Sequence, residues 1–342
     1  QWANVVRWEM RPRLFLRTAE FLWQEGHTVH VDEEDARREV DVAVEMYRQL
    51  VEDTLAIPVI IGEKPESERF PGAVATISLE AMMQDRKALQ AGTSHYLGQN
   101  FAKAQNIRFL GREGSHEFAH TTSWGVSTRL IGGMIMTHGD DDGLRVPPRA
   151  APKHVVILPV VPKPEHEEKV FAAADAIVES LRGIRYHNAP LVVHVDKRDI
   201  RGGEKNWQWI KRGIPIRIEI GPRDIDAGTV MLHRRDKGHK DRDTVASGDL
   251  PEKLVPILDE MQQNYFRQAK DFREEFTVDS IQNADEFREF FTPKSKGKPE
   301  IHGGFVRAPW CGDEAAIEPL LSELKVTIRC LPTNQSENIG QC

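Results

Sequence analysis

Along the first thirty residues, apolar and polar positions alternate as in extended chain. Side chains two apart in a strand share a face, so Arg7 and Glu9 point one way while Trp8 and Met10 point the other. If residues 15–27 are also extended, Arg17, Phe21, Trp23, Glu25 and His27 fall along one surface. The period then lengthens to that of a helix. Asp32 is its N-cap, and Val40, Val44, Tyr47 and Val51 form one stripe. Later, residues 154–161 and 191–195 are predicted strands flanking a helix over 167–181, with Val170, Ala174, Ile177 and Leu181 aligned. In residues 213–221 the isoleucines at 214, 216, 218 and 220 alternate with Arg217 and Glu219, which predicts one buried and one open face. A helix opened by Asp249 and Pro251 carries Leu254, Ile257, Met261 and Tyr265 inward.

Punctuation divides these elements into domains. Pro147, Pro148 and Pro152 discourage both helix and inner strand, which predicts a linker over 145–152. A second break is expected at 245–250. The reading is therefore an α/β multidomain chain of three parts, 1–150, 151–248 and 249–342, a number that suits 342 residues.

Composition narrows the partners. With 39% hydrophobic and 29% charged residues the chain is globular, and a net charge of −7 leaves any RNA contact to local basic patches. Cys311, Cys330 and Cys342 are too few to staple the fold, which points to a reducing compartment and the cytoplasm. The longest apolar run, residues 155–161, is far short of a membrane span. The acidic turn at 139–143 has neither the length nor the distant Glu of a calcium loop and reads as solvated.

The hairpin at residues 7–30 carries the chemistry. Two arginines, two carboxylates, two aromatic rings and a histidine on one face are costly to bury without a ligand. A nucleotide accounts for them, because guanidinium forks match phosphate oxygens and a ring can cover adenine. Each such residue taken singly is an ordinary solvated strand position.

The runs QWANVVRWE at 1–9 and FLRTAEFLWQEGH at 15–27 resemble motif 2 of prolyl-tRNA synthetases of the archaeal and eukaryotic type, which are class II aminoacyl-tRNA synthetases. Residues 123–133, SWGVSTRLIGG, resemble motif 3, and residues 89–101, LQAGTSHYLGQNF, resemble the strand lining that family's pocket floor. The resemblance implies a partial antiparallel-sheet catalytic core, an α/β anticodon-binding domain and a small α+β C-terminal domain. It implies ATP and Mg2+ as cofactors, with Arg7 and Arg129 as catalytic residues. ATP would be held by Arg7, Glu9, Arg17, Thr18, Phe21, Gln90, Thr93, Ser127 and Arg129, with Gln90 also at Mg2+. Proline would meet Arg7, Trp23, Glu25, His27, His95 and Gly125.

In the second domain the resemblance implies contact with the tRNA(Pro) anticodon. Lys205, Lys211, Arg212, Arg217, Arg223, Arg234 and Arg235 would face phosphates, and Glu219 would read a guanine edge. The C-terminal module of this family often holds zinc on four cysteines. Here Cys311 fits the first position but Ala316 stands at the second, so no zinc is expected.

The interval between Glu25 and Thr93 is too short for an editing insertion. Because the chain opens on Gln1 inside an expected strand, truncation is expected at the N-terminus and also beyond Cys342. Motif 1, which builds this family's homodimer, would lie upstream, and the fragment alone would then be inactive. The rival readings are a non-catalytic RNA-binding or regulatory fragment, and a synthetase for another small amino acid such as threonine.

Overall fold

The computed structural model describes residues 1–295 and 300–335. The chain forms two compact units, one from residues 1–52, 57–137 and 270 onward, the other from 53–56 and 138–269.

The first unit is built on an antiparallel sheet. Strand β1 (Trp2–Val6) pairs with β2 (Glu20–His30), and residues 7–19 form the loop between them. On the loop side the Arg7 N–H, donating to the Ala19 carbonyl, extends the pairing by one bond. The strand expected from Phe15 onward therefore starts five residues later. Phe15 has φ +58°, in the left-handed region, and turns the loop back.

Helix α1 (Glu33–Arg48) follows, with the Asp32 carboxylate accepting from the Asp35 N–H as expected of its cap. Then come β3 (Val59–Glu63), β4 (Ala75–Met82), β5 (Ala88–Gly98), α2 (Asn100–Gln105), the short hairpin β6 (Arg108–Leu110) with β7 (His116–Phe118), β8 (His120–Ser127) and α3 (Arg129–His138). Helix α1 covers one sheet face. The Tyr47 hydroxyl donates to Gln24 Oε1 at 2.6 Å, the Ser94 hydroxyl donates to the Val40 carbonyl, and Ala36 and Val40 pack on Ala75 and Tyr96.

The second unit holds β9 (Val155–Pro159), α4 (Glu167–Ser180), the hairpin β10 (Arg185–Tyr186) with β11 (Ala189–Pro190), β12 (Val193–Val195), α5 (Gly202–Lys211), β13 (Ile216–Ile220), α6 (Pro222–Ala227), β14 (Thr229–Arg234), β15 (Asp243–Ala246) and α7 (Leu250–Glu275). Its sheet runs β12-β9-β13-β14-β15, parallel across the first three strands and antiparallel beyond.

The proline-rich stretch is no exposed linker: Val146, Pro147 and Pro148 are buried, and the units divide near His138. The boundary at 249 also fails. Leu250, Leu254, Leu258 and Met261 of α7 lie in one core with Ile157, Ile216 and Leu232. At ~1.5–3 kcal/mol per buried aliphatic side chain, those four contacts tie the helix to this unit. The turn at 139–143 is not merely solvated, because Arg235 Nη1 donates to Asp140 Oδ2 at 2.7 Å.

After α7, β16 (Thr277–Val278), α8 (Ala284–Phe291), β17 (Phe305–Val306), α9 (Glu314–Leu324) and β18 (Leu331–Pro332) return to the first unit. Strand β18 pairs with β3, completing the order β1-β2-β8-β5-β4-β3-β18. Residues 270 onward are thus an extension of the first unit rather than a separate domain.

Candidate functional site

The sheet face opposite α1 carries a cleft of about 650 Å³, within the usual range for a small-molecule site. Alternation on β2 sends Phe21, Trp23, Glu25 and His27 into it, as the sequence parity requires. On β8 the same rule brings Ser123, Gly125 and Ser127 beside them, since Trp23 opposes Ser127 and Glu25 opposes Gly125 in the register. Strand β5 adds Gln90, Thr93 and His95. Gln90 and Thr93 are of opposite parity and both line the cleft because the register shifts there. Gly92 opposes Leu79 and Gln90 opposes Glu80, which leaves Ala91 as the extra residue of a bulge.

A small hollow adjoins the cleft at the mouth of the loop over residues 7–19. Arg7, Arg17, Thr18, Phe21, Ser127 and Arg129 line it. The loop is drawn onto α3, where the Arg129 Nε donates to the Leu16 carbonyl at 3.2 Å. A Cβ at Gly132 would come within 2.7 Å of the Leu16 side chain, so glycine permits this approach. The Arg7 guanidinium lies over the Phe21 ring, 4.9 Å from its centroid.

One carboxylate, Glu9, stands 3.5 Å from Arg17, and it lines neither hollow. Burial, then Arg7 and Arg17, holds the Arg129 guanidinium below its usual range. Such mutual repulsion at a half-enclosed site is relieved by an anion.

At the other end, the His95 Nδ1 is 2.9 Å from the Thr76 hydroxyl and its ring is 5.1 Å from Phe70. Burial pushes His95 down to about 4, so the imidazole is neutral near pH 7. Glu25 Oε2 is 3.2 Å from His27 Nε2. The Trp23 indole N–H is buried without an acceptor among the described residues, a donor available to a ligand. Above them the backbone of Gly125 leaves space, since a Cβ there would meet only the Gln24 carbonyl oxygen at 3.5 Å and Glu25 Cγ at 3.9 Å.

Every sequence-expected residue of this site except Glu9 therefore lines one of two adjoining hollows. Phe70, Thr76 and Phe101 were missed. Thr76 is recoverable once β4 is paired, because it opposes His95 in the register, but nothing local marks Phe70.

The basic residues of the second unit divide differently. Arg217 is only 1% exposed, with its Nε donating to Asn206 Oδ1 at 2.7 Å. The face expected to be open is covered by α5, whose Trp209 packs on Val156 and Leu158. Burial, with Arg235 nearby, lowers Arg217 to about 10. Lys205, Arg234 and Arg235 are buried too and answered internally, by the Asp196 carbonyl, by Asp236 with Glu260, and by Asp140. Glu219 is partly exposed and is held below the usual carboxylate range by the neighbouring His233, whereas Lys211, Arg212 and Arg223 are exposed.

Cys311 is exposed, and burial pushes the Cys330 thiol up to about 11. Cys342 lies outside the described residues. Among the described residues no three His, Cys, Asp or Glu side chains are grouped to hold a metal, and no helix is long and apolar enough to cross a membrane.

The family model described as "Anticodon binding domain" matches residues 154–256. Over its whole length the chain is 58% identical to the Proline--tRNA ligase of Protochlamydia amoebophila, covering 67% of that protein. It is 55% identical to the Proline--tRNA ligase of Rhodopirellula baltica, of which it covers 66%. To the Proline--tRNA ligase 2 of Anaeromyxobacter dehalogenans it is 51% identical, covering 68%. The chain thus spans about two thirds of the length of these relatives.

Proposed function

The chain belongs to the proline--tRNA ligase family, and from that premise we propose that the cleft activates proline with ATP and that the second unit engages tRNA(Pro). The observation that carries the reading is the convergence of Arg7, Arg17 and Arg129 at one end of a cleft whose other end is an aromatic-walled pocket.

In this reading Arg7 spans the α-phosphate and the proline carboxylate, Arg17 takes the distal phosphates and Arg129 the γ-phosphate. Phe21 stacks on adenine, while Thr18, Thr93 and Ser127 supply hydroxyls. Glu9 holds Arg17 from outside the hollow. The proline ring lies over Gly125 between Trp23 and His95, with Glu25 beside its secondary ammonium and His27 at the rim. A neutral His95 adds no repulsion to that ammonium.

The proline carboxylate attacks the α-phosphorus in line, the bond to the bridging oxygen breaks and pyrophosphate leaves. The terminal hydroxyl of tRNA then attacks the prolyl carbonyl and AMP leaves. No protein nucleophile is required, since fixed cations stabilise the developing phosphate charge. The Gln90 amide oxygen is a hard donor that suits Mg2+, which usually binds through phosphate oxygens, water and few protein ligands. When bound, Mg2+ neutralises phosphate charge.

Glu219 and the exposed Arg223 are the proposed anticodon contacts, with Arg217 behind them. A homodimer in the cytoplasm accompanies the family reading. The stretch between β2 and β5 is occupied by α1, β3 and β4.

Amino-acid-dependent ATP–pyrophosphate exchange by the full protein tests the reading. Proline alone should support exchange at micromolar to millimolar concentration. Exchange with threonine and none with proline would remove the pocket assignment.

A further inference from the structure

A buried charge cluster flanks the cleft without lining it. Lys64 and Glu80 are each 1% exposed, their charged atoms 2.9 Å apart, and Arg329 donates to the second oxygen of Glu80 from Nη2 at 2.7 Å and Nε at 3.0 Å. Arg329 comes from the far end of the chain, just before β18.

The sheet register explains why this cluster matters to the site. Glu80 opposes Gln90 across β4 and β5, so both side chains stand on the cleft face. Gly62 opposes Ser78 on the same face, and a Cβ there would come within 2.4 Å of the Leu331 carbonyl oxygen. Glycine at that position is what lets residues 329–331 lie down on the sheet.

The segment thus brings a guanidinium to the carboxylate beside Gln90. Glu80 lies between two cations, with Lys64 near one oxygen and Arg329 bonded to the other. The cluster carries one net positive charge. The proximity is felt electrostatically, because Arg329 also disfavours the charge of Arg129 while Glu80 favours it.

We propose that Arg329 is a positioning residue for ATP: seated on Glu80 by the close approach over Gly62, it holds the carboxylate against Gln90 and strengthens the phosphate-binding field. The C-terminal segment is thereby part of the nucleotide grip. This rests on the reading of the cleft as an ATP site.

The test is ATP affinity of the full protein by calorimetry, with exchange kinetics alongside, for wild type, Arg329→Met, Arg329→Lys and Gly62→Ala. Arg329→Met should weaken ATP about fivefold or more and raise KM for ATP, with KM for proline within twofold. Arg329→Lys should restore most of the affinity. Gly62→Ala, which displaces the segment without touching a charge, should reproduce the Arg329→Met effect. Unchanged ATP affinity in Arg329→Met, or equal rises in both KM values with no rescue by lysine, would overturn the proposal. Wild-type protein that binds ATP but exchanges with no amino acid would sink the functional reading instead, and the affinity comparison would still decide the role of Arg329.

Discussion

Glu25 and Gly125 face each other across β2 and β8, and a methyl group on Gly125 would stand 3.9 Å from Glu25 Cγ without striking any protein atom. The space above Gly125 is therefore not required by packing, and the proposed proline site uses it. Gly125→Ala should melt within a few degrees of wild type, while KM for proline in the exchange reaction rises tenfold or more and KM for ATP stays nearly constant. A variant that loses stability and keeps its proline KM would show the glycine to be structural.

His95 fixes a pH signature. Its folded value of about 4 lies below an unfolded value near 6.5, so the unfolded chain binds more protons between those limits. Its contribution is whole above about pH 6.5 and fades as pH falls towards 4, to a total of about 3 kcal/mol. Urea midpoints should fall over this window, less steeply in His95→Gln. Proline KM should show no inflection from this group between pH 6 and 8.

In the second unit, exposure separates two kinds of arginine. Arg234 is buried against Asp236, so Arg234→Ala leaves a carboxylate unpaired and should destabilise the protein by about 3–5 kcal/mol. Arg223 is exposed at the start of α6. Arg223→Ala should leave the melting temperature unchanged, weaken tRNA(Pro) binding and lower its salt slope by about one. Fluorescence titrations at several salt concentrations read both. An unchanged slope would remove Arg223 from the interface.

Much of the site was legible because it obeys local rules. The parity of Phe21, Trp23, Glu25 and His27 survives intact, and the Asp32 cap starts α1 where the pattern says it does. What sequence could not give depends on distant pairing. Gln90 and Thr93 share a face only because Ala91 bulges against β4. Residues 7–10 and 15–19 look like strand by alternation, yet they belong to a loop held by α3 and Gly132. Arg217 reads as the polar side of a half-exposed strand until α5 is laid over it. Nothing local indicates that residues 331–332 pair with β3.

In the proposed function Arg7, Arg17 and Arg129 form one phosphate grip. Each charge-assisted bond contributes ~1.5–3 kcal/mol, or roughly 10- to 150-fold in affinity. Calorimetric ATP titration of Arg129→Ala, set beside tRNA(Pro) binding by the same preparation, tests this most directly. Loss of ATP binding by at least tenfold with tRNA affinity unchanged is the expected result. ATP affinity equal to wild type would contradict it.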